Sequence, residues 1–458
     1  MSIIKPTGTN QPGISTRSCN RGMKKDNYPE IPADSVVLSS NETSDEKEWS
    51  VLVYMNGNNT LSEQGMAKLD CQLKEIDKSE QMNIAVHHSV LRSKGWHHPN
   101  AINSTRYEVR KNGIKKLDEL GPLNMASTDT LVDFVKWGMK KYPAKHYLVV
   151  LQSHGGAWHG GLPDDVYKDR MDLPKLDEAF GKIKKETGRK PDVIAFDACL
   201  MANTEAAYQL RDHADYMIGS EEVEWGANSK YAEDVSAPYK EIFGNISKKL
   251  DSGEEVGPES LAREWVIACD GKWTTPTQSA LDLSKMNDLS DSLNKLAGCI
   301  LDSDTPMETI KEIIRDTKSM HGQKDEKIEK WDEENEYKLH LKDLHEFVEK
   351  LSMDPRIKDE KTKKASVDVL GRFDDVVIAN VAGSDWDLMS PVRYSESHHI
   401  QHHYEGDRNH GLSIFMPDNP QIMNSLEKNE KYPTKYRETA FARENAWGKL
   451  VERLTRQE

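Results

Sequence analysis

From residue 49 onward the chain alternates short, almost continuous apolar runs with stretches in which apolar residues return every three or four positions. "WSVLVYMNGNN" is an apolar run broken by Asn-Gly, which predicts a strand that delivers a loop at its carboxyl end. "TLSEQGMAKLDCQLKEID" follows with Leu61, Met66, Leu69 and Leu73 at helical spacing, and "MNIAVHHSVL" reads as the next strand. The alternation continues through "RYEVRK" (strand), "STDTLVDFVKWGMKKYP" (helix with a Ser/Thr start and a Pro stop) and "HYLVVLQ" (strand). It ends with "DLPKLDEAFGKIKKETG" (helix), "PDVIAFDA" (strand), "TEAAYQLRDHA" (helix) and "DYMIGS" (strand).

Continuous apolar strands separated by amphipathic helices imply an α/β fold with a mostly parallel sheet covered on both faces. Residues 1–47 are rich in Ser, Thr, Asn, Pro and Lys without apolar periodicity, which reads as a disordered leader or pro-segment. The expected organisation is this leader, an α/β core over 48–240, and a mostly helical region over 241–458 that adds further strands, "HGLSIFMP" among them. The charged tract "KDEKIEKWDEENEYKLHLKD" reads as a solvated face or loop. The bunched histidines of "SHHIQHHYEGDRNH" lack a defined metal-ligand spacing and read likewise.

Composition narrows the function. A formal charge of −15 argues against nucleic acid or an anionic membrane as partner, since both reward a basic face. No run approaches the roughly 18 apolar residues of a membrane helix, and the N-terminus carries no apolar segment of the secretory kind. The expectation is therefore a cytoplasmic protein by default, with non-classical export as the alternative. Five scattered cysteines (Cys19, Cys71, Cys199, Cys269, Cys299) form neither a disulfide framework nor a metal pair. No phosphate-binding glycine loop is present, so no organic cofactor is implied.

In open α/β sheets, ligands bind where loops leave the carboxyl ends of the strands. Two reactive side chains occupy such ends: His154 in "LVVLQSHGGAWHGG" and Cys199 in "DVIAFDACLM". One strand-helix-strand unit separates them, so they face one cleft if the two strands are neighbours. A thiol beside an imidazole is the minimal set for covalent acyl transfer, and Gly155 and Gly156 let backbone N–H groups approach a ligand. That loop can then provide an oxyanion donor alongside the Cys199 N–H.

"VLVYMNGNN", "SHGGAWHGG", "VIAFDACLMANTEAAYQL", "IGSEEVEWG", "TQSALDLSKM" and "HGLSIFMP" resemble the clostripain-like cysteine peptidases (family C11), over roughly residues 49–420. The resemblance implies a caspase-like three-layer αβα sandwich with a helical C-terminal extension. It also implies a His154–Cys199 dyad, the Gly155 and Cys199 backbone N–H groups as the oxyanion hole, and cleavage of peptides or proteins after Arg or Lys at P1. In the family the acid two residues before the nucleophile lies in the S1 pocket, and here that residue is Asp197. A P1 cation leaving water needs such a fixed carboxylate. Asp197 also reads as a strand-end cap, and Glu221 and Glu222 of "GSEEVEWG" are second acidic candidates. As neighbours on a strand, these two glutamates face opposite sides. "VEWGANSKY" departs from the family's pattern after the pocket strand, which implies a remodelled substrate loop.

Internal cleavage between the His strand and the following helix often activates family members. The matching segment here, "LPDDVYKDRMDLP", reads as an exposed polar loop with Lys168 and Arg170 as candidate self-cleavage sites. Some relatives depend on calcium, and Asp164, Asp165 and Asp169 offer hard oxygen ligands without EF-hand spacing. The competing reading is a caspase-like scaffold that binds a peptide or protein and no longer cuts. A ligase would share the same thioester chemistry.

Overall fold

The computed structural model describes residues 46–91, 102–111, 113–224, 236–272, 275, 277–320, 340–382, 408–428 and 433–456. The expected leader lies outside these residues except for its last two. So do most of the charged tract and the histidine bunch at 398–403. The first strand, β1 (Lys47–Gly57), starts two residues before Trp49.

The remaining strands are β2 (Met82–Leu91), β3 (Ile102–Arg110), β4 (Gly113–Gly121), β5 (Ala144–Gln152), β6 (Gly161–Asp164), β7 (Asp169–Met171), β8 (Val193–Asp197), β9 (Tyr216–Gly219), β10 (Thr277–Asp282), β11 (Leu341–Asp343), β12 (Val377–Ala382) and β13 (Ser413–Phe415). Nine of them form one sheet in the order β12-β10-β9-β8-β5-β1-β2-β3-β4. Its centre, from β9 through β8, β5 and β1 to β2, is parallel, and the outer strands are antiparallel. Strands β10 and β12 reach this sheet from beyond residue 240, and β11 and β13 form a small separate pair.

Alternate residues of the parallel strands point to opposite faces, and both faces are covered. Leu52, Tyr54, Val149, Leu151, Ile194 and Phe196 pack with Phe134 of α2 (Thr128–Lys141) and Phe180 of α3 (Leu173–Thr187). Their neighbours Val51, Val53, Leu148, Val150, Val193 and Ala195 pack with Phe243 of α4 (Tyr239–Asp251) and Trp265 of α5 (Pro258–Ala268). This is a three-layer αβα sandwich. Helix α3 begins where Asp172 accepts the Lys175 N–H at 3.0 Å, with Pro174 in its first turn, and stops at Gly188 in the left-handed region.

Three local features depart from the sequence reading. "GIKKLDELG" forms edge strand β4, whose charged, largely exposed residues carry no apolar alternation to announce it. The segment read as an exposed loop is instead a hairpin of β6 and β7. The first helix is interrupted: α1 (Ser62–Ala67) runs into a π turn at Lys68–Gln72 and a tight turn at Leu73–Glu75. In that π turn Lys68 is fully buried.

Strand β2 buries two adjacent histidines. The ring of His87 packs against Tyr54 and Phe134, and His88 lies against Gly57 and Gly65 of the loop and helix after β1. Burial disfavours the charged imidazole and lowers the pKa of His88 to about 4. Between the unfolded value near 6.5 and that folded value, the unfolded chain binds the proton and the native one does not. His88 therefore contributes stability that is present above pH ~6.5 and lost as pH falls towards 4, by about 3 kcal/mol. Buried Glu205, raised to about 7, acts with the opposite sign in the overlapping range, so the test is a difference. Urea unfolding between pH 7 and 4 is expected to show a flatter decline in His88→Gln than in wild type.

Candidate active site

The parallel pairing of β5 with β8 sets Gln152 opposite Asp197. His154 and Cys199 each lie two residues beyond that pair, so both occupy one edge of two neighbouring strands. The loops then touch: a Cβ on Gly155 would collide with the carbonyl oxygen of Cys199, and only glycine permits this approach. Among the described residues four non-glycine residues have positive φ: Ala157, Leu162, Lys168 and Leu200. All four belong to the His154 loop, the hairpin it leads into, or the Cys199 loop. Backbone strain is concentrated where the two reactive side chains are presented.

The main chain at His154 is pinned, its carbonyl accepting the Leu162 N–H at 2.9 Å. Its half-buried ring is held through Nε2, which lies 2.7 Å from the Thr60 hydroxyl. The Cys199 thiol is half-buried and is clasped by the main chain of Glu224. The Glu224 N–H lies 3.4 Å from Sγ, and Sγ lies 3.6 Å from the Glu224 carbonyl. Leu200 N–H and Ala202 N–H donate to the carbonyls of Glu222 and Ser220 at 3.0 and 2.9 Å, fixing the Cys199 loop to the segment after β9. On its other side, the loop is tied to β13 by Ser413 N–H donating to the Ala202 carbonyl at 3.0 Å. None of the four described cysteines is in a disulfide. Buried Cys269 has its thiol pushed up by desolvation and is unsuited to attack.

The acidic candidates are all engaged. Asp197, at the end of β8, is buried and forms an ion pair with Lys68. It also accepts from the Tyr239 hydroxyl at 2.7 Å and from the Ala237 N–H at 3.2 Å. Glu221 accepts the Gly411 N–H at 3.0 Å, and burial beside Asp343 holds its carboxyl well above the usual range. Glu222 pairs with Lys318 at 3.1 Å. Sequence reasoning missed both Lys68 and Glu224. The side chain of Glu224 enters the Asp197 cluster, where Oε1 accepts from Gln278 and Oε2 has no hydrogen-bond donor among the described residues. Burial and the neighbouring Asp197 charge push the Glu224 carboxyl well above its ordinary value, while Lys68 opposes the shift. Lys68 thus pairs with Asp197, while burial beside that charge favours the neutral form of Glu224. Lys68 sits on a polar helix face in sequence and enters the core through the π turn, so periodicity alone gave no signal for it.

Lys168 is the exposed tip of the β6–β7 hairpin, with φ +54°, whereas Arg170 is half-buried within β7. Asp164 accepts from Asn58 and from the Met125, Val166 and Tyr167 N–H groups; Asp169 accepts from Asn124 and Lys175. Oxygens surrounded by N–H and ammonium donors do not fit a calcium site, and no step below runs through a metal. Among the described residues no group of three His, Cys, Asp or Glu side chains converges as metal ligands.

Comparison with known proteins adds an independent line. The model of the clostripain family matches residues 44–453. A clostripain from Hathewaya histolytica is 26% identical over 240 residues, a match that spans 45% of this chain and 45% of that protein. Two solved structures share the fold. An inactive zymogen C11 protease from Parabacteroides distasonis is 20% identical with a TM-score of 0.57, and the match covers 88% of this chain and 99% of that one. A secreted C11 cysteine protease from Bacteroides thetaiotaomicron in complex with an irreversible peptide inhibitor is 18% identical, with the same TM-score and coverage. That relative corrects the cytoplasmic default: it is secreted, so an N-terminus without an obvious apolar signal segment does not assign the compartment. No described helix is long and apolar enough to cross a membrane. With the family model matched from residue 44 to residue 453, this chain belongs to the clostripain family of C11 cysteine peptidases.

Proposed function

We propose that the protein is a cysteine endopeptidase acting through Cys199 and His154 on peptide bonds that follow Arg or Lys. The observation that carries this reading is the contact of Gly155 with the Cys199 backbone at the β5–β8 edge, which places imidazole and thiol loops side by side. In the reaction the imidazole takes the thiol proton and the thiolate attacks the scissile carbonyl carbon. The Gly155 and Cys199 N–H groups face the developing oxyanion. As the C–N bond breaks, the imidazolium returns the proton to the leaving amine. Water, deprotonated by the same ring, then hydrolyses the thioester and releases the acid product.

The buried acids support the basic preference. Asp197 is saturated, and a P1 cation that reached it would have to displace Lys68. Glu224, whose Oε2 lacks a donor among the described residues, is the carboxylate able to take a P1 cation while Lys68 stays on Asp197. A guanidinium or ammonium entering beside it supplies the second positive charge that the two carboxylates lack.

The Glu224 clasp on Sγ favours a latent form that opens on cleavage of the hairpin. Lys168 suits that cleavage better than Arg170, because a protease needs an exposed, extensible segment and Arg170 is held in a strand.

Fluorogenic peptides with Arg, Lys, Asp or Ala at P1 test the activity. The expected result is turnover after Arg and Lys that vanishes in Cys199→Ala with no loss of Tm; no turnover by intact or nicked protein would favour the silent scaffold. In the same assay Glu224→Gln is expected to lower kcat/KM for basic P1 by roughly 10- to 100-fold, the worth of a charged hydrogen bond. Asp197→Asn should instead show mainly as a stability loss of about 3–5 kcal/mol, because it strips a buried ammonium of its partner. For latency, mass spectrometry of incubated wild type is expected to find a cut after Lys168, and Lys168→Ala to stay intact; cleavage of both at another bond would contradict this.

A further inference from the structure

The Asn-Gly-Asn-Asn loop after β1 has no part in the chemistry above, yet it is among the most heavily bonded segments near the site. The Asn59 side chain donates to the Ser153 hydroxyl at 3.0 Å and to the carbonyls of Asn56 and Pro163 at 3.3 and 2.8 Å, while accepting the Leu61 N–H at 2.9 Å. Asn56 donates to the carbonyls of Leu162 and Pro163, each at 3.0 Å. Asn58 donates to Asp164 at 2.6 Å and to the Leu123 carbonyl at 3.0 Å. These buried amides tie the loop to both flanks of His154, residue 153 on one side and residues 162–164 on the other.

What the loop presents at its open end is Thr60, an exposed residue whose hydroxyl meets His154 Nε2 at 2.7 Å. An exposed hydroxyl can be solvated by water, so stability alone does not demand this contact. Its consequence is chemical: an imidazole held at Nε2 has a fixed ring plane, and where the hydroxyl accepts from Nε2–H the free lone pair of the ring is on Nδ1.

We propose that Thr60 is the positioning residue of the dyad, accepting the Nε2–H of His154 so that Nδ1 carries the proton between the Cys199 thiol and the leaving amine. The proposal rests on the dyad reading. The proton balance is simple: Nδ1 accepts the Cys199 proton through its lone pair, the imidazolium keeps Nε2–H on the Thr60 oxygen, and Nδ1 later releases that same proton to the amine. Because the acceptor favours the cationic ring, Thr60 raises the imidazolium pKa and extends the alkaline side of the activity profile.

The test compares Thr60→Val, Thr60→Ser and His154→Ala of the full chain on a basic-P1 peptide, with the rate of Cys199 alkylation by iodoacetamide against pH as a readout independent of turnover. Thr60→Val is expected to lower kcat roughly tenfold with little change in KM, an effect the size of one hydrogen bond at the transition state. It should also move the alkaline limb of kcat/KM to lower pH, and Thr60→Ser should restore both. A Thr60→Val enzyme with wild-type kcat and an unmoved alkaline limb, beside an inactive His154→Ala, would overturn the positioning role while leaving the dyad intact. Wild-type turnover in His154→Ala would remove the dyad and this proposal together.

Discussion

The arrangement depends on one register. Strands β5 and β8 pair in parallel with Gln152 beside Asp197, so the next two residues of each chain leave the sheet together and deliver His154 and Cys199 to one edge. A slip of one residue would turn every side chain of a strand to the opposite face and exchange its two core partners, which the packing on both sides forbids. The register is thus held by the sandwich itself, by Val149 and Leu151 packed on one side and Leu148 and Val150 on the other. The close approach of Gly155 to the Cys199 carbonyl then fixes the depth at which the two loops meet.

Beneath that edge lies a charge cluster that a simple apolar core would not contain. Lys68, Asp197 and Glu224 are buried together; Tyr239 and the Ala237 N–H donate to Asp197 and Gln278 donates to Glu224 Oε1. Removing charges from water costs several kcal/mol per ion, so such a group persists only where geometry is good or where function needs it. It links the π turn, the end of β8, the first turn of α4 and the segment that clasps the thiol.

The alternation of apolar runs and helical periods was enough to read most of the parallel strands and their helices, because residues buried on both faces leave an unmistakable composition. It did not announce β4, whose solvent-facing residues are charged, nor the hairpin around Lys168, whose strands are too short to show a period. For the site, His154 and Cys199 were legible from strand ends followed by turn residues. Glu224 was not, since its part depends on a loop folding back over the thiol, and Lys68 was not, since a single π turn redirected a residue that helical spacing assigns to a polar face. For each of the acids singled out from sequence the structure supplies a partner that no local pattern specifies.

The proposed mechanism makes Cys199 the nucleophile of a site that accepts a basic P1 residue. Its most direct test is to treat the activated protein with an irreversible peptidyl inhibitor carrying Lys or Arg at P1 and map the adduct by tandem mass spectrometry. A single stoichiometric adduct on Cys199, lost in His154→Ala, is the expected result. An adduct on Cys71 or Cys299, or equal labelling by an inhibitor with Asp at P1, would contradict it.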